Sequence, residues 1–270
     1  MIVVALLLGA LGVADLVRRR LPSSLAIGVA TAAGVLVFLL GVDGVGLPWW
    51  LTPIAVIAVG GWLFATREDT GAHRAGYWAV GALGAVILAG AAFGGVFGTP
   101  AGAIVDWYAA LPYPGLDAVP FGAFALTVGG LLFLFESANV IVRLALRGER
   151  SSTPDVAAPV APTPVPIAPR RWWRRAARVA APPVSPAPSR FTELKGGRFI
   201  GPLERVFLLA LVLTGQFTAV AAVIAAKGIV RFPEISKDDT GGSKAEYFLV
   251  GSFASWALVV VVATLVALVT

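Results

Sequence analysis

Cysteine is absent from this 270-residue chain, and histidine occurs once, at His73. The first absence excludes disulfides, thiolate metal sites and cysteine nucleophiles. The second leaves no material for a histidine-cluster metal centre or a Ser-His relay, and His73 reads as a solvated loop residue. Charge is scarce too. Asp, Glu, Lys and Arg supply 13% of the residues, where an average soluble domain has about 25%. That is too little to cover a globular surface. Phosphate-binding loops are missing as well: no G-x-x-x-x-G-K-[ST] occurs, and no G-x-G-x-x-G follows a strand pattern. Neither a metal nor a cofactor is expected.

What the chain does have is apolar length. Hydrophobic residues make up 58% of it and the mean hydropathy is +0.85. Apolar runs of roughly 16–25 residues recur, enough at about 1.5 Å per residue to cross a hydrocarbon core about 30 Å thick. A transmembrane β-barrel would instead alternate over segments of about ten residues. The expected fold is all-α, a polytopic transmembrane bundle of about seven spans, near residues 2–17, 24–41, 49–66, 77–97, 119–142, 199–226 and 247–269. No positive n-region or small-residue cleavage site marks the start as a signal peptide, so the first run reads as a retained span.

Basic residues collect on the cytoplasmic side of membrane proteins. An N-out, C-in arrangement puts all but four of the 21 Lys and Arg residues inside, the four being Lys227, Arg231, Lys237 and Lys244. All four fall in one loop, so the last hairpin is the weakest part of that topology. The outer loop 98–118 carries Trp107, Tyr108 and Tyr113 among prolines and glycines, and a short surface helix is expected near 101–111.

Composition also divides the chain. A five-span section (1–147) and a two-span section (196–270) flank a Pro/Ala/Arg-rich cytoplasmic linker (148–195), expected to be disordered because proline denies it helical hydrogen bonds. Within the linker, "RRWWRRAARVAA" at 170–181 has the pattern of a short basic amphipathic helix. Arg171, Arg174, Arg175 and Arg178 share one face, and Trp172 and Trp173 lie on the other. Such a helix suits the anionic inner leaflet, at about 1 kcal/mol per basic residue near the surface. Membrane lipids are thus the expected partner, a protein partner through the linker is the alternative, and nucleic acid is not expected.

Ionisable residues at membrane depth are costly and mark candidate sites. Glu136, Asn139 and Arg143 fall at i, i+3 and i+7 on one helical face. Asp15 stands just before Arg18–Arg20, and Glu204 and Arg205 precede a run without charge from Val206 to Ala226. N-out topology brings these groups to one leaflet, with Lys227 marking the opposite one. In one reading they are anchors, with Glu136 paired to Arg143 or Arg205; in the other they line a cytoplasm-facing polar pocket for a proton, cation or headgroup. Thr214, Gln216 and Thr218 lie mid-span and suit interhelical hydrogen bonds, and Gly81, Gly84, Gly90, Gly94 and Gly95 suit close helix approach.

Two resemblances follow. "ADLVRRRLPSSL" (14–25) resembles the first-aspartate segment of prepilin peptidases, which implies Asp15 as a catalytic aspartate. The family's Gly-x-Gly-Asp motif does not occur, Asp69 lacks its glycines, and Ser23 replaces the expected Asn. "ESANVIVRLAL" (136–146), "GGRFIGPLERVFLLALVLTGQFTAVAAVIAAKGIVRF" (196–232) and "AEYFLVGSFASWAL" (245–258) resemble an uncharacterised family of bacterial integral membrane proteins. That likeness implies a bacterial plasma membrane location and no particular reaction. The expected function is therefore that of a non-enzymatic scaffold or accessory subunit. The alternative is a transporter or channel with Glu136 and Glu204 in its polar pocket.

Overall fold

The computed structural model of the chain describes residues 1–67, 73–96, 98–152, 197–235 and 243–270. Among these residues there are ten helices and no strand: α1 (Ile2–Arg18), α2 (Ser23–Val45), α3 (Leu51–Ala65), α4 (His73–Phe93), α5 (Ala103–Ala109), α6 (Phe121–Phe135), α7 (Ser137–Ser152), α8 (Gly197–Leu213), α9 (Phe217–Ile235) and α10 (Ser243–Ala267). The linker tract that holds Arg171, Trp172, Trp173, Arg174, Arg175 and Arg178 lies outside the described residues, as does Asp69. Among the described residues, three helices are long and apolar enough to cross a membrane, over Leu25–Val45, Arg74–Phe93 and Ala245–Ala267, and α6 with α7 makes a fourth if that bent pair counts as one span.

The central element is α1. Its sequence is apolar on all sides, the mark of a helix surrounded by others, and Val4, Leu8, Ala10, Leu11 and Ala14 are fully buried among α2, α3, α4 and α6. It lies closest to α6, and glycine permits this. A Cβ on Gly12 would run into the backbone of Leu132 and Phe133, and one on Gly129 into that of Ala5. The expectation of glycine packing on the fourth span holds only in part. Gly90 and Gly94 abut Val4 and Met1, but Gly81, Gly84 and Gly95 face open space.

The bundle has two distinct ends. Met1, Gly46, Gly94, Pro120, Leu268 and Val269 line a crater of about 510 Å³ at one, so both chain ends meet there; we call this the terminal face. The short α5 packs beside it through Ile104 on Gly44 and Ala101 N–H to Val45 O (3.2 Å). The other is the basic face, where α1 ends at Arg18 and α3 at Ala65, and where α4 starts.

Two departures from straight spans define the basic face. First, the fifth expected span is bent by 48° between α6 and α7, with Glu136 at the break. Second, the sixth expected span (199–226) does not continue straight. It breaks at Thr214–Gln216, where Gly215 takes φ +71°, a left-handed conformation suited to glycine. Gln216 N–H reaches back to Leu211 O (2.8 Å) and Gly215 N–H to Val212 O (3.1 Å), closing α8 in a Schellman-type cap. The chain then returns along itself as α9. A straight helix would put Glu204 and Lys227 about 34 Å apart. Instead Lys227 Nζ lies 2.8 Å from both carboxylate oxygens of Glu204. The expectation that these residues mark opposite leaflets is therefore corrected: they close the neck of a helical hairpin. The cause is local, since Gly215 and the polar residues beside it offer a turn inside a run that hydropathy reads as continuous.

Candidate functional site

The polar residues of the basic face form two linked clusters in the end of an otherwise apolar bundle. Asp15, one turn from the end of α1, is almost completely buried. Its carboxylate pairs with Arg18 (2.7 Å) and accepts hydrogen bonds from Trp62 Nε1 on α3 (3.0 Å) and Ser137 Oγ on α7 (2.6 Å). Arg18 in turn donates to Thr66 Oγ1 (2.8 Å) and to Leu63 O (3.2 Å). A charge in such a place is tolerable only when paired and hydrogen-bonded, and here three helices supply the partners.

Glu136 sits at the α6–α7 break, 3% exposed. Its carboxylate pairs with Arg19, a partner the sequence reading did not name for it. The break at Glu136 turns α7 away from the axis of α6, so the i, i+3, i+7 face expected for Glu136, Asn139 and Arg143 is not one continuous stripe. Arg143 and Glu136 do line a shared cavity of about 340 Å³ with Asp15, Arg18, Arg19 and Arg67. This cavity is the polar pocket at the basic face.

The second cluster centres on Arg205, 2% exposed on α8. Its Nε donates to Leu134 O (2.8 Å), its second nitrogen to Ser255 Oγ on α10 (3.3 Å), and its third to Asn139 Oδ1. Asn139 completes its own bonding by donating to Phe135 O (3.3 Å). Arg205 thus ties the backbone exposed near the α6–α7 break to the hairpin and to α10. Beside it, Glu204 accepts from Trp256 Nε1 (3.0 Å) as well as from Lys227, whose ammonium stands 5.4 Å from the Trp256 ring centroid.

All six residues singled out from the sequence, Asp15, Glu136, Asn139, Arg143, Glu204 and Arg205, are thus at one end of the bundle. They form two sets rather than one pocket. Asp15, Glu136 and Arg143 border the cavity, and Asn139, Glu204 and Arg205 belong to the hairpin seat. Sequence reasoning missed Arg19, Trp62, Ser137, Ser255 and Trp256, because a serine or an indole inside an apolar run carries no signal of its own. It misplaced Lys227.

No protein-family model, curated protein or solved structure matches this chain.

Proposed function

We propose that the chain is a multi-pass protein of the bacterial plasma membrane, with its basic face in the cytoplasm, and that it works as a non-enzymatic scaffold or accessory subunit of a membrane assembly. The observation that carries this reading is the α8–α9 hairpin. It enters beside α6 and α10, turns back, and leaves α9 exposed along most of its length, from Phe217 to Pro233. In this reading the uncovered element is the surface that another member of the assembly meets.

The hairpin also supports a topology different from the seven-span, N-out, C-in expectation. With α8–α9 entering and leaving on one side, six crossings remain: α1, α2, α3, α4, the bent α6–α7 pair and α10. Both termini then lie outside. Every one of the 21 Lys and Arg residues falls at the basic end of a helix or in a connection that starts and finishes there, the four formerly discordant ones included. That distribution agrees fully with the positive-inside rule. The charged side chains toward the terminal face are the acids Asp43, Asp106 and Asp117. In the same arrangement the linker is cytoplasmic, and its Arg171–Arg178 segment faces the anionic inner leaflet.

The test is the mass of the particle after extraction into native-lipid nanodiscs. The subunit reading requires a protein mass above the 27.9 kDa of one chain. Particles holding one chain and no other protein would overturn it.

A second reading, a transporter or channel, draws on the cavity between Asp15, Glu136 and the arginines. The hairpin and the broken α6–α7 span are of the kind that line solute pathways. Against it stands the pairing of both carboxylates with Arg18 and Arg19. This reading requires flux through proteoliposomes that Glu136→Gln abolishes while the fold persists.

A further inference from the structure

We infer that the basic-face cavity and an apolar groove beside it together hold one anionic phospholipid of the inner leaflet, its phosphate among the arginines and an acyl chain in the groove. The inference rests on the membrane location proposed above and is independent of whether the chain has protein partners.

The charge of the cavity comes first. Among its described lining residues, Arg18, Arg19, Arg67 and Arg143 stand against Asp15 and Glu136. Both carboxylates are already matched, Asp15 by Arg18 (2.7 Å) and Glu136 by Arg19. Arg67 is half-buried just past the end of α3. Among the described residues its guanidinium has no carboxylate and no hydrogen-bond acceptor, and it stands 5.6 Å from the centroid of the Phe64 ring. The balance is positive, and a guanidinium fork binds phosphate oxygens two at a time.

The groove supplies the other half. It has a volume of about 490 Å³ and lies between α3 and α4, over Leu7 and Leu11 of α1, with no charged residue in its lining. Along α3 it extends from Ala65 to Ile57 and along α4 from Ala75 to Val86. It therefore begins at the basic face and descends roughly 12–16 Å into the apolar zone. Cavity and groove adjoin where α3 ends: Ala65 lines the groove, and the next two residues, Thr66 and Arg67, line the cavity. Trp62 stands between them, lining the groove and donating its Nε1–H to Asp15 (3.0 Å).

A positive site beside an apolar slot of this depth matches the two chemistries of a phospholipid. A soluble phosphate would use the first and leave the second empty. Basic pockets between spans at the cytoplasmic side suit anionic headgroups. A zwitterionic headgroup brings its own cation to the arginines and loses by like-charge repulsion.

The test is native mass spectrometry of the full chain in detergent, with phosphatidylglycerol or phosphatidylcholine of the same acyl chains added. Expected is one phosphatidylglycerol per chain, bound about tenfold or more tightly than phosphatidylcholine. Equal binding of the two by the wild type overturns the inference without recourse to any variant. Arg67→Gln should keep the unfolding midpoint and remove the preference; a preference that survives belongs to another surface, the linker included, and overturns the site. A Cβ at Gly61, in the groove lining, would meet nothing within 4 Å. Gly61→Leu therefore occupies the groove without displacing its neighbours, and should weaken both lipids by a similar factor. Unchanged binding in Gly61→Leu refutes the acyl-chain contact. Inorganic phosphate that displaces the lipid from the wild type would assign the cavity to a soluble anion instead. Release of the chain from native membranes by a carbonate wash would overturn the location, and the inference with it. A chain that stays in the membrane yet shows no lipid preference overturns the inference alone.

Discussion

The guanidinium of Arg205 is a rigid fork of N–H donors, and its three nitrogens reach three different elements: Leu134 O in α6, Asn139 in α7 and Ser255 in α10. Its contribution is geometric more than coulombic. Arg205→Ala bares several buried acceptors, at about 1–3 kcal/mol each. Arg205→Lys keeps the charge as a single flexible ammonium that cannot serve all three directions. Thermal unfolding in nanodiscs should rank wild type above Arg205→Lys and Arg205→Ala lowest. Equal midpoints for Lys and wild type would show that charge alone suffices. Asp15 follows the same logic in reverse, one carboxylate collecting donors from α1, α3 and α7.

At the scale of elements, the bundle is held by a close α1–α6 seam and a hairpin closed at its neck. The seam depends on the missing side chains of Gly12 and Gly129. Gly12→Val should destabilise by about 1–3 kcal/mol through overpacking, whereas Gly84→Val, pointing into open space, should change the unfolding midpoint little. A midpoint equally lowered by both would mean that the glycines act through helix flexibility instead. At the neck, a double-mutant cycle of Glu204→Gln and Lys227→Met should show coupling of about 1 kcal/mol. The low end is expected because 28% of the Lys227 side chain stays exposed. Zero coupling would remove the ion pair as a clasp. These elements also mark what hydropathy conveys. It located apolar segments because burial and lipid exposure ask for the same composition. It did not separate a span from a folded-back pair, because Thr214, Gly215 and Gln216 barely lower the average of the run around them. The bend at Glu136 was equally hidden, since no Gly or Pro announces it and the polar groups that meet it sit on other helices, Arg19 at the end of α1 and Arg205 on α8.

For the whole molecule, both chain ends share a face. Reporter fusions at the N- and C-termini should therefore give the same sidedness, opposite to that of a protease site placed in the linker. Opposite signals from the two termini would restore a seven-crossing path. Deleting 151–190 should leave the unfolding midpoint of the bundle near that of the wild type while reducing flotation with phosphatidylglycerol vesicles, and unchanged flotation would exclude the linker as the lipid contact. The candidate residues were legible in the sequence as a set, because a carboxylate or guanidinium stands out against an apolar background. Their pairing was not legible: which of several arginines meets Glu136 is decided by helix rotation and by a bend, neither of which composition records.

The seat of the hairpin also dictates an order of events during synthesis. Ser255 and Trp256 bond to Arg205 and Glu204, yet they leave the ribosome some fifty residues later, at about 5–20 residues per second. Until α10 arrives, the α8–α9 hairpin lacks one wall of its seat. The last helix made is therefore the one that completes it, and a chain truncated before Ser243 should be treated by the cell's membrane quality control as unfinished.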